Sequence, residues 1–173
     1  MYLDDALLYN QGYMISINDL DSPLFYLFDY DSRSFKINMS FQHFHQFHEI
    51  HILLSGRAPH LIEGDYYTLQ PYDIVLLRPS MMHKTEYPAG GDCRRLIINF
   101  RVPDDSPVLH EMLQSCLQPF GAEVPIYRFT GETRAQAFSH LNEIFTLGKQ
   151  PMTPLTQQFI HCHFLQFLAT VSQ

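Results

Sequence analysis

Cysteine is scarce in this sequence: Cys93, Cys116 and Cys162 are the only three in 173 residues, and none belongs to a CxxC pair. That excludes a disulfide framework and a zinc ribbon, and it makes a reducing cytoplasm the expected compartment. Basic residues are also few, 11 Lys and Arg against 18 Asp and Glu, for a formal charge of -7. Neutralising phosphates supplies most non-specific nucleic-acid affinity, so no direct contact with nucleic acid is expected from this chain. No apolar run is long enough to span a membrane, and the opening "MYLDDALLYNQGYM" lacks the cationic segment of a secretory signal. A soluble, untargeted protein is the expectation. Apolar residues make up 46% of the chain and aromatics 14%, enough for the packed core of one domain.

The character of the chain changes once, near "RVPDDSP" at Arg101 to Pro107. Before it lie short runs rich in β-branched and aromatic residues, "PLFYLFDYDSRS", "EIHILLSG", "HLIEGDYYTL", "YDIVLLRPS" and "CRRLIINF". Turn residues separate them, with "EGD" at Glu63 to Asp65 suited to a tight hairpin. This predicts an antiparallel sandwich or barrel. After Pro107 the period turns helical. Ser106 with Pro107 starts one helix, "ETRAQAFSHLNEIFTLG" places Ala135, Phe138, Leu141 and Phe145 on one face of a second, and Thr153 with Pro154 starts a third. The third, Leu155 to Val171, has more apolar surface than one stripe needs and must be covered on two sides.

The histidines fall at the start of a predicted strand. Alternation in "HFHQFHEIHILLSG" sends His43, His45, Phe47, Glu49, His51, Leu53 and Ser55 one way and Ile50, Ile52 and Leu54 the other. Two histidines at i, i+2 with a carboxylate four residues on, joined by a histidine from a distant strand, can ligate a divalent first-row metal. His83 is the distant partner, and Thr85 shares its face. His48 points away from Glu49, toward the surface. In "CRRLIINF", Arg95, Ile97 and Asn99 share a face, with Leu96, Ile98 and Phe100 opposite. Buried His45, Glu49 and His83 must bond one another or a ligand. For His51 and Ser55 a role in binding and a satisfied core position remain equally open, as a solvated position at the barrel mouth does for Arg95.

His43-x-His45 followed by Glu49 and Gly56 resembles the first cupin motif, and "PYDIVLLRPSMMH" from Pro71 to His83 resembles the second, with Tyr72-Asp73 at the usual Gly-Asp. With the helices that follow, the whole chain resembles the N-terminal effector-binding and dimerisation domain of AraC-type transcription regulators. The resemblance implies a mainly β fold with C-terminal α structure, a cupin jelly-roll barrel followed by two or three helices. Implied boundaries are an N-terminal arm at 1–14, a barrel at 15–103 and a helical dimerisation segment at 104–173 containing one short strand near 125–130.

It further implies a bacterial, cytoplasmic sensor with no catalytic residues and no required cofactor, binding a small polar effector such as a sugar. Effector contacts are expected from His45, Glu49, His51, Ser55, His83, Thr85, Arg95 and Asn99. Homodimerisation is expected through Phe159, Phe164, Phe167 and Val171, and DNA binding through a C-terminal domain whose basic helix-turn-helix pattern is not among these residues. The competing class is a metal-dependent cupin isomerase or dioxygenase holding one ion with His43, His45, Glu49 and His83. The long apolar third helix, which an enzyme does not need, favours the sensor.

Overall fold

Short β-branched and aromatic runs cannot bury both their faces alone, and here they do so by pairing into two sheets. The computed structural model describes residues 13–34, 36, 38–103 and 106–173. The strands are β1 (Tyr13–Ile17), β2 (Phe25–Arg33), β3 (His48–Ser55), β4 (Ala58–Ile62), β5 (Asp65–Leu69), β6 (Ile74–Leu77), β7 (His83–Thr85), β8 (Cys93–Arg101) and β9 (Ile126–Tyr127). Six form one antiparallel sheet in the order β1-β2-β8-β3-β6-β9, and three form a second, β5-β4-β7. The N-terminal arm expected at 1–14 lies outside the described residues, apart from Tyr13 and Met14, which begin β1.

Local chemistry sets the turns. Glu63 and Gly64 take φ values of 49° and 99°, the two left-handed residues that a tight hairpin between β4 and β5 requires. Tyr72, in the position the resemblance gives to glycine, also has φ 73°. Its amide donates to the Leu53 carbonyl, and Leu53 in turn donates to the carbonyl of Asp73, so the strained turn is tied to β3.

The larger sheet is buried on both faces. One face carries Ile50, Ile52, Ile74, Leu76, Leu96, Ile98, Phe100, Tyr26, Phe28 and Tyr30, all at most 2% exposed. The other meets the smaller sheet through Leu53, Val75 and Leu77 against Ala58, Ile62 and Leu69, with Met81, Tyr87 and Cys93 completing the cluster. That inner layer is only partly apolar, and its polar part forms the site described below.

Chain contacts divide the protein into two units, Asn10–Val102 with Glu123–Arg128, and Pro103–Ala122 with Phe129–Gln173. The second unit is helical: α1 (Pro107–Leu117), α2 (Gly131–Gly148) and α3 (Pro154–Val171). Ser106 caps α1 by accepting from the Leu109 amide, and Thr153 caps α3 by accepting from that of Thr156. Helix α2 packs on α3, and it buries Ala137, Phe138, Leu141, Ile144 and Phe145. Among the described residues no helix is long and apolar enough to cross a membrane.

Two expectations about α3 and β3 need correction. Phe164, Phe167 and Val171 are at most 2% exposed within the single chain, so they have no surface left for a partner. Of the four residues expected at a dimer interface, only Phe159 is exposed, at 49%. His48 is half-buried rather than fully at the surface. Its ring stacks on Phe100 with centroids 5.2 Å apart, and burial lowers its pKa to about 4.

Candidate ligand-binding site

Backbone pairing brings the histidines together. His43 and His83 form an isolated antiparallel bridge, each amide donating to the other's carbonyl at 3.0 and 2.9 Å, and the Ser80 amide donates to the His45 carbonyl. The loop ahead of β3 is thereby fastened to the loop ahead of β7. The rings follow: the His43 centroid lies 4.9 Å from His45 and 4.4 Å from His83. Alternation along β3 adds Glu49, whose carboxylate oxygens lie 3.1 Å from His45 Nε2 and 3.5 Å from His83 Nε2.

Glu49 is 6% exposed. Burial would raise its pKa, but the contacts from His45 and His83 outweigh that and hold it well below the ordinary carboxylate range. Burial likewise opposes protonation of His83, and the contact with Glu49 and its charge reverse the sign, leaving His83 raised. His83 Nδ1 lies 2.9 Å from the Met81 carbonyl. A carbonyl only accepts, so Nδ1 carries the proton and Nε2 is the nitrogen turned toward Glu49.

A cavity of about 220 Å³ opens beside this cluster, lined from both sheets by Asp29, Arg33, Met39, His43, Glu49, His51, His83, Thr85, Tyr87, Arg95, Ile97 and Asn99. Register explains the set. Glu49 and His51 stand opposite Asn99 and Ile97 across the β3–β8 ladder, and Asp29 stands opposite Ile97 across β2–β8. His51 is 1% exposed and held neutral by burial and by its cationic neighbours. His51 Nε2 and Asn99 Oδ1 are buried without a hydrogen-bond partner, and so is His43 Nδ1. Such atoms need a ligand or water to complete them.

The structure gathers most of the residues the sequence nominated, with two corrections. Ser55 does not face the cavity. A bulge between Leu53 and Ser55 breaks the alternation, so Ser55 pairs with Arg94 and accepts from its Nε at 3.0 Å. Arg95 does face the cavity, but its charge is not left open for a ligand. Its Nε donates to Asp31 at 2.9 Å and its Nη2 to Asp29 at 3.3 Å. Alternation in "FDYDSR" puts Asp29, Asp31 and Arg33 on one face, a signal that was readable from sequence. His60 was also missed. It is fully buried in β4, its Nδ1 lies 2.9 Å from Thr85 Oγ1, its ring meets His51 at 5.0 Å, and its Nε2 has no partner. The signal was the i, i+2 pattern Ala58, His60, Ile62.

The His43, His45 and His83 ring nitrogens lie within 4.8 Å of one another. With Glu49 beside them and Nε2 of His83 oriented by the Met81 carbonyl, these residues fit a divalent first-row ion. A family model described as "AraC-like ligand binding domain" matches residues 36–144, which spans the cavity wall from the histidine loop through β8. The chain belongs to the AraC-like ligand-binding domain family.

Several solved structures similar to this AraC-like domain are named as cupins. One is a cupin protein from Bacteroides fragilis, 19% identical, with a TM-score of 0.45 over 58% of this chain and 86% of that one. Another is a cupin 2 conserved barrel domain protein from Salinispora arenicola, 18% identical, with a TM-score of 0.41 over 65% and 92%. A third is an RmlC-like cupin from Methanocaldococcus jannaschii, 8% identical, with a TM-score of 0.43 over 56% and 86%. No curated protein matches the chain. The fold is two antiparallel sheets followed by helices, and the family's description as a ligand-binding domain over residues 36–144 suggests small-molecule sensing.

Proposed function

We propose that this domain is the effector-sensing and dimerisation part of a bacterial transcription regulator, that it binds a small polar molecule such as a sugar derivative inside the barrel, and that it is not an enzyme. Occupancy would govern DNA binding by a separate domain. The observation that carries the reading is a set of buried polar atoms, His51 Nε2, His43 Nδ1 and Asn99 Oδ1, that belong to residues lining one cavity and have no hydrogen-bond partner in the protein. A polyol can donate to Glu49 and Asn99 and exchange hydrogen bonds with the imidazoles, while Tyr87 and Ile97 supply apolar contact. Occupancy has a path out of the barrel: β3, which carries Glu49 and His51, pairs with β6, β6 pairs with β9, and the chain continues from β9 into α2.

A thermal-shift screen of sugars and related metabolites tests this. At least one compound should raise the melting temperature of the wild type, with stabilisation of about 2.7 kcal/mol at a hundredfold excess over Kd. The same compound should do much less for Glu49→Gln and His51→Ala. Equal stabilisation of both variants would refute the site.

A second reading rests on the convergence of His43, His45, His83 and Glu49. These residues would hold a divalent ion whose chemistry is Lewis-acid polarisation of a bound oxygen. Metal analysis of tag-free protein separates the readings. Stoichiometric zinc, nickel, manganese or iron that disappears in His45→Ala/His83→Ala would favour metal binding.

A further inference from the structure

Four charged side chains on the β2–β8 wall form a closed quartet. Arg95 Nε donates to Asp31 Oδ1 at 2.9 Å and its Nη2 to Asp29 Oδ2 at 3.3 Å. Arg33 reaches the same two carboxylates, Nε against Asp31 Oδ2 and Nη2 at 3.8 Å from Asp29 Oδ2. Each aspartate therefore bridges both arginines. The register requires it: Asp31 stands opposite Arg95 across the ladder, with Asp29 and Arg33 two residues to either side on the same face. Arg33, Arg95 and Asp29 all line the cavity.

An arginine beside a polar cavity is ordinarily the group that captures a carboxylate or phosphate, through two parallel N–H donors. Here that edge of Arg95 is already taken. An anion entering the cavity would meet two guanidinium groups matched by two aspartates, and Glu49, on the neighbouring strand of the same sheet and paired with His45 and His83, as a third carboxylate. Like charges at these separations in a partly desolvated space repel strongly. An uncharged donor meets no such barrier and finds acceptors in Glu49, Asp29 and the unpartnered Asn99 Oδ1.

Building on the ligand-binding reading above, we infer that the cavity is selective for an uncharged, hydroxyl- or amide-bearing ligand, and that Asp29 and Asp31 are its specificity residues because they hold Arg33 and Arg95 away from anions. Sugar acids and phosphorylated sugars are excluded as effectors, and their neutral counterparts are admitted. Removing the aspartate charges should turn the same cavity into an anion site.

Inorganic phosphate is a sufficient probe, so the test does not depend on finding the natural effector. Calorimetric titration of the wild type should show no saturable binding up to tens of millimolar. Asp29→Asn/Asp31→Asn should bind phosphate at least about tenfold more tightly, and a further Arg95→Gln change should abolish the gain. A folded double variant that gains nothing would overturn the proposal, as would wild-type phosphate binding that Arg95→Gln removes. Should the double variant not fold, the wild type alone decides by NMR. The Arg95 Nε–H resonance should stay fixed as phosphate is added, and a saturable shift would overturn the inference. An effector screen without hits would count against the ligand-binding reading and leave these outcomes unchanged.

Discussion

His60 shows what one buried imidazole does to the behaviour of the barrel. Burial, reinforced by the charge of His83, lowers its pKa to about 3, so the folded protein keeps it neutral. Burial also lowers His43 and His48 to about 4 and His51 well below its ordinary value. The unfolded chain protonates each near pH 6.5. Between the folded and unfolded values the unfolded state binds more protons, so stability rises with pH from about 4 to about 6.5. His83 has the opposite sign, because its folded pKa is raised. Its contribution is complete below about 6.5 and is lost as pH rises through the folded value. Burial also lowers His140 and His161, so six imidazoles against one leave a domain that is acid-labile. Denaturant unfolding at pH 5 and pH 7 should show lower stability at pH 5, and His60→Gln should remove about 1 to 2 kcal/mol of that difference. An unchanged difference in His60→Gln would show that His60 already protonates in the folded state.

At the scale of elements, the short strand β9 is held by one polar grip as well as by its pairing with β6. Arg128, just beyond β9, donates to both carboxylate oxygens of Asp73 at 2.6 and 2.8 Å, and Asp73 also accepts from the Gln70 amide. Asp73 is 1% exposed, whereas the Arg128 side chain is half exposed. Asp73→Ala strips the turn before β6 of both contacts and should lower stability by about 1 to 3 kcal/mol. Arg128→Ala leaves the Gln70 amide in place and should have the smaller effect. A larger loss in Arg128→Ala, measured by thermal unfolding, would make the arginine the principal anchor of β9. The grip also shows where sequence reasoning stopped. Alternation located Glu49, His51, Arg95 and Asn99, because a period of two survives wherever a ladder is regular. It failed at Ser55, where one extra residue in β3 reverses the face. It also could not say which strands are neighbours. Asp31 and Arg95 are 64 residues apart, and only the β2–β8 pairing makes them partners.

For the whole molecule, the open matter is how two copies would meet. The excess of apolar residues on α3 was legible in its sequence, but composition alone does not separate the residues that face α2 from those left outside. Phe164 and Phe167 are fully buried in the single chain, their rings 6.3 Å apart. Leu155 and Phe159 remain 64% and 49% exposed one turn apart, and Cys162 continues the same stripe. If the proposed homodimer forms through α3, this stripe is the surface available to it. Phe159→Glu with Leu155→Glu should then give monomers in sedimentation, with a melting temperature equal to that of a dilute, dissociated wild type. Phe164→Glu should behave differently. It places a charge in a closed core and should destabilise by more than about 4 kcal/mol, so that the chain unfolds before any change of association can be read. A wild type that stays monomeric at high micromolar concentration would remove dimerisation through α3. A dimer that persists in the Leu155 and Phe159 variant would move the interface to another face.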